Sequence, residues 1–209
     1  MSRPKASQTR ISEANSGKIL DAALTIFAKS GLQGARLDRI AEQAEMSKPN
    51  LLYYFHSKEE LYRAVLRRTL DVWLENLKSF DPEVGAEESI RRYIAGKLAF
   101  SKTYPEASRL FALEIISGGE MLMDAIRGDL AEMVESKART IRGWIAEGNL
   151  APVEPYHLIF TIWATTQHYA DFSAQIEALT GKTLEDTGFH EAAQSALEQI
   201  FLRGILPRG

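Results

Sequence analysis

The chain has 209 residues, 45% hydrophobic and 25% charged, enough to bury a helical core without cross-links and to carry a small additional domain. It contains no cysteine, which excludes a disulfide scaffold, a thiol nucleophile and cysteine-based zinc or iron–sulfur sites and fits a reducing cytoplasm. The net charge of −3 conceals an asymmetry: residues 1–68 carry 12 Lys/Arg against 7 Asp/Glu, and the remainder 13 against 21, so only the front of the chain suits a polyanion.

Residues 1–17 are polar, without an apolar period, and read as a flexible basic arm, either simply disordered or bringing Arg3, Lys5 and Arg10 to the minor groove or to phosphates. Helical spacing starts at Lys18 with Ile19, Ala22, Ala23, Ile26 and Phe27, and Gly31 follows as a stop. A second short helix carries Leu37, Ile40, Ala41 and Ala44 on one face. After a turn at Met46, Ser47 caps a third that opens near Lys48-Pro49, where proline is tolerated because first-turn amides lack helical partners. Ser57 with Glu60 forms a capping-box pattern that opens a long helix through Leu61, Val65, Leu70, Trp73 and Leu77, ended by Asp81-Pro82. Further helices are expected at 86–103, 105–117, 120–147, 155–180 and 189–204, punctuated by Pro105, Gly118-Gly119, Gly148, Pro155 and Gly181. No useful alternating pattern and no internal repeat occurs, so the fold class is all-α. No apolar stretch reaches the roughly 20 residues of a membrane span, and the N-terminus lacks a signal-peptide core. A cytoplasmic protein without a membrane partner is expected.

Three short helices, the second and third joined by a tight turn, make a helix-turn-helix over residues 18–60, which leaves 61–209 as a helical bundle. Lys48, Asn50, Tyr53, Tyr54, His56 and Lys58 crowd the third helix and the start of the fourth. Lysine and tyrosine reach phosphates, and Asn50 suits an adenine edge. Leu51 and Phe55 suit the core.

The segment Gly34 to Leu66, with its Ile40-Ala41-Glu42-Gln43-Ala44 helix, its Ser47-Lys48-Pro49-Asn50-Leu51 opening and its Tyr53-Tyr54-Phe55 run, resembles the N-terminal domain of the TetR family of bacterial regulators. That resemblance implies a homodimer that reads a palindromic, double-stranded operator. It places Lys58 at a phosphate, Tyr54 on the backbone, and Lys48 and Asn50 near base edges. Arg36 and Ser47 complete the expected DNA-contacting set. Two positions depart from the family pattern: Arg36 stands at the usual Thr/Ser cap of the second helix, and Glu45 at the usual turn glycine.

Beyond residue 80, Tyr104–Gly119 and Leu150–Gly181 are similar to the branch of that family that governs pyrimidine utilisation, which implies repression relieved by uracil or thymine. Trp163 and Gln167, four residues apart, share a helical face. A carboxamide offers both a donor and an acceptor to a pyrimidine edge, and an indole offers a flat wall. Trp73 on the long helix offers a second wall. Trp73, Trp163 and Gln167, with Tyr169 and His168, form the effector set that the resemblance favours, whereas spacing alone favours core tryptophans and a dimer-face or surface glutamine. Lys58 and Trp73 lie 15 residues apart, about 22 Å along one helix. The resemblance also implies dimerisation through the last two long helices, for which Leu158, Ile162, Ala193, Leu197 and Ile200 are suited.

A carboxylate-bridged metal bundle would need two Glu-x-x-His motifs, and only Glu154–His157 matches. No phosphate-binding glycine loop is found. No catalysis, cofactor or metal is therefore expected. The alternative within the family is a regulator answering a different small molecule; a helical interaction module would leave the basic front end unexplained.

Overall fold

The computed structural model describes residues 5–207, with side chains from residue 12 onward. Arg3 and the side chains of Lys5 and Arg10 lie outside the described residues. Among those described, the chain is helical throughout and has no strand. Its elements are α1 (Lys5–Gly34), α2 (Leu37–Gln43), α3 (Lys48–Tyr54), α4 (Lys58–Leu77), α5 (Ala86–Thr103) and α6 (Pro105–Ile116). There follow α7 (Met123–Ala125), α8 (Ala131–Ala146), α9 (Pro155–Asp171), α10 (Ser173–Thr180) and α11 (Thr187–Ile205).

Two apolar clusters hold these elements. The first joins Ile19, Ala23 and Phe27 of α1, Ile40 of α2 and Leu51 of α3 to Leu61, Leu66, Leu70 and Trp73 of α4, and continues into Leu110 and Phe111 of α6. The second joins Ile90, Ile94 and Leu98 of α5 to Ile141 and Trp144 of α8, Ile159 and Ile162 of α9, and Leu197 and Phe201 of α11. Burying such side chains is the main stabilisation, about 1.5–3 kcal/mol for each fully buried aliphatic or aromatic group. The first cluster crosses residue 60, so the helix-turn-helix and the base of the bundle share one core.

Several expected boundaries move. The first helix, expected from Lys18, starts at Lys5. It has no helix breaker between Pro4 and Gly17, and the buried part of α1 supplies a nucleus from which the helix extends cheaply. Gly31 does break the regular path, with φ 63° and ψ 178°, a conformation that glycine tolerates. Helix α4 ends at Leu77, before Asp81-Pro82; Lys78, Ser79 and Phe80 turn back onto the carbonyls of Glu75, Asn76 and Leu77. Residues 120–147 are not one regular helix, because a five-residue π segment, Ile126–Leu130, separates α7 from α8. That segment holds Gly128, and its Asp129 pairs with Arg67 of α4. The expected 155–180 helix breaks at Phe172, where Arg109 donates to the Ala170 carbonyl and to the Ser173 hydroxyl.

Of the expected dimer residues, Leu158, Ile162, Ala193 and Leu197 are buried within their own chain. They belong to the second cluster, because α9 packs on α5 and α8, and α11 packs on α5. Only Ile200 is exposed, at 68%, and Phe160 of α9 joins it at 46%.

Candidate functional sites

The first site is built by three local devices. The Ser47 hydroxyl accepts from the Asn50 amide, 3.3 Å, which caps α3 and sets its first turn. The Ser57 hydroxyl accepts from the Glu60 amide, 3.0 Å, and the Glu60 carboxylate accepts in return from the His56 amide, 2.8 Å, one residue before the expected capping-box partner. Between α2 and α3 the amides of Glu45 and Met46 donate to the carbonyls of Glu42 and Ala41, a Schellman stop. That stop needs a left-handed residue, and Glu45 supplies it at φ 57°. The glutamate thus adopts, with its Cβ penalty, a conformation that a glycine would take freely. Arg36 precedes α2 with no side-chain capping bond, and its guanidinium is exposed.

These devices bring most of the expected DNA set to one end of the molecule. Arg36, Ser47, Lys48, Asn50, Tyr53 and His56 are exposed, Tyr53 at 77%. Lys48 pairs with Asp38 at 3.2 Å, and the His56 ring lies 3.4 Å from Glu60. Tyr54 is half-buried; its hydroxyl accepts from Asn15 of α1, 2.9 Å, and its ring meets that of Tyr53 edge-on. Lys58 is also half-buried. Its ammonium donates to the carbonyls of Gln33, 3.3 Å, and Ala35, 3.2 Å, fastening the first turn of α4 to the end of α1. Two of its three donors are engaged in this way.

The second site lies where α4, α5, α6 and α9 meet. Gly96 lets α5 approach α4 closely, since a Cβ there would come within 2.9 Å of the Asn76 side chain. One residue on, Lys97 reaches across to α4. Its ammonium sits 4.1 Å from the centre of the Trp73 ring and 3.4 Å from the side-chain oxygen of Gln167. Lys97 is only 2% exposed, and burial lowers its pKa to about 7, opposed by the attraction of Asp171. Burial also raises the Asp171 carboxyl above its ordinary range, against a hydrogen bond from Ser108, 2.7 Å, and the nearby Lys97, Arg109 and His168. Trp73 is 8% exposed and packs on Phe111 and Phe100, with centroids 4.3 and 5.8 Å away, and its indole N–H has no hydrogen-bond partner. A surface cleft of about 190 Å³ beside Thr69, Val72 and Tyr104 shares Phe100 as part of its wall.

Of the expected effector set, Trp73 and Gln167 therefore meet, through Lys97. The Trp163 indole N–H donates instead to the Tyr93 hydroxyl, and its ring packs beside Phe160. His168 is exposed and stacks on Phe172, and Tyr169 meets Phe189. Sequence reasoning missed Lys97, Ser108 and Asp171. The signal for Lys97 was present: it follows Ile94 by three residues and Ile90 by seven, in phase with the buried stripe of α5.

Known proteins resemble the chain on both parts. The profile of "Bacterial regulatory proteins, tetR family" matches residues 19–65, and that of "YcdC-like protein, C-terminal region" matches residues 66–208. The HTH-type transcriptional regulator RutR of Escherichia coli K12 is 49% identical over 201 residues, 96% of this chain and 95% of that protein. The HTH-type transcriptional repressor SCO4008 of Streptomyces coelicolor is 34% identical over 103 residues, 49% of this chain and 50% of its own length. A TetR-like transcriptional regulator from Rhodococcus sp. RHA1 shares the fold with a TM-score of 0.67 at 23% identity, covering 91% of this chain and 94% of its own.

Proposed function

The chain belongs to the TetR family of bacterial regulatory proteins, and from that premise we propose that it is a homodimeric repressor of pyrimidine use, releasing a palindromic operator when uracil or thymine binds beside Trp73 and Gln167. It is a DNA-binding regulator and not an enzyme. Lys48, Asn50 and Tyr53 enter the major groove, with Lys48 and Asn50 near base edges. Arg36, Ser47, Tyr54, His56 and the remaining donor of Lys58 hold the flanking backbone.

One observation carries the coupling: α4 is tied to the DNA end by Lys58 and presents Trp73 to the buried site 15 residues later. At 1.5 Å per residue this is a lever of about 22 Å. Two recognition helices must stand about 34–36 Å apart to enter successive major grooves. A ligand that favours another inclination of α4 changes that spacing, so operator and effector compete through one equilibrium. Gln167 supports a hydrogen-bonding ring as the effector, since its carboxamide can both donate to and accept from a pyrimidine edge.

The test is a mobility-shift titration on the promoter fragment upstream of the chain's own gene neighbourhood. A salt-sensitive complex should form, and uracil or thymine should dissolve it. Binding that persists at saturating uracil would overturn the effector, and no salt-sensitive binding to any promoter fragment would overturn the DNA assignment.

A further inference from the structure

Two donors in the buried site stand without an adequate acceptor. The Trp73 N–H is buried and unpartnered. The Lys97 ammonium, nearly excluded from water, has a 3.4 Å hydrogen bond to Gln167 and the face of the Trp73 ring. Asp171 attracts it through space while one of its carboxylate oxygens accepts from Ser108. An unmet buried donor costs stability, and a buried cation costs more. Such an arrangement does little for the fold by itself, and a ligand that brings an acceptor repays the cost as affinity.

We propose that Lys97 is the effector-recognition residue of this site: its ammonium moves from the Trp73 face to a carbonyl oxygen of the entering ring, beside the Trp73 N–H. The move releases the Gln167 oxygen, which accepts from the adjacent ring N–H. The site thereby reads a flat –CO–NH– edge, with donors for the oxygen and an acceptor for the hydrogen. This inference rests on the proposed pyrimidine effector and names the residue that selects its chemistry. The charged group that acts on Lys97 is Asp171 of α9, which in turn lies near Arg109 of α6 and His168 of α9. The aromatic wall is supplied by Trp73 of α4.

The test is calorimetric titration of the full-length wild type and Lys97→Met with uracil, 2-thiouracil and 4-thiouracil, where sulfur replaces one carbonyl oxygen by a weak acceptor. Lys97→Met should weaken uracil binding about 30-fold, the loss of one charge-assisted hydrogen bond. One of the two thio substitutions should weaken wild-type binding and make no further difference in Lys97→Met. At pH 8 the wild type should also take up a proton on binding uracil, read from buffers of different ionisation heat, because a new acceptor favours the charged amine. That uptake needs no variant to fold. Unchanged affinity in Lys97→Met, together with no proton uptake by the wild type, would overturn the role of Lys97 and leave the pyrimidine effector standing. A wild type that binds none of the three rings would overturn both.

Discussion

Lys97 has a consequence for the ligand-free protein as well. An unfolded lysine holds its proton to about pH 10.5, whereas here burial lowers that to about 7. Between these values folding releases a proton, so the contribution of Lys97 to stability rises with pH. The penalty is complete below about pH 7 and disappears above 10.5. Lys97→Met should therefore raise the thermal midpoint, and by more at pH 6 than at pH 9; equal gains at both pH values would contradict the lowered pKa. The same residue scale explains which side chains were legible. Asn50 and Tyr53 announce themselves as polar and aromatic positions on a recognition helix, and both are exposed. Lys97 and Asp171 did not, because a charged residue on a helix is usually solvated, and only its neighbours on other helices reveal the exception.

At the scale of elements, the stops and caps follow local rules. Ser47 and Ser57 cap where the sequence places them, and Glu60 reaches back as a capping glutamate should, to His56. Glu45 is the position where the local rule is strained. A left-handed non-glycine residue costs about 1–2 kcal/mol, partly offset by the chain entropy that glycine would lose. Glu45→Gly should stabilise the protein by about 1 kcal/mol in denaturant titration without changing the recognition surface; a loss of stability would show that the Glu45 side chain contributes more than its backbone strain costs. The breaks at Phe172 and at the π segment were not legible. Neither has a proline or an obvious glycine pair, and both are held by side chains from elsewhere, Arg109 at the first and Arg67 at the second.

For the whole molecule, the exposed apolar groups on the last two long helices bear on assembly. Phe160 and Ile200 lie on the surface of α9 and α11, while the other residues expected there are core. In a homodimer through these helices, Phe160→Glu with Ile200→Glu should convert the protein to a monomer in light scattering and abolish operator binding at concentrations where the wild type binds, with the helical content retained. A variant that remains dimeric would move the interface elsewhere. The amino-acid sequence by itself determined the all-helical class, the capped helix-turn-helix and the long fourth helix, because periodicity, caps and turn chemistry act within a few residues along the chain. Which apolar stripe faces the chain's own core, and that a lysine, a tryptophan and a glutamine from three helices share one buried space, only the tertiary structure decided. Those facts depend on how helices far apart in sequence rotate and approach, and a single helix's pattern leaves that rotation open.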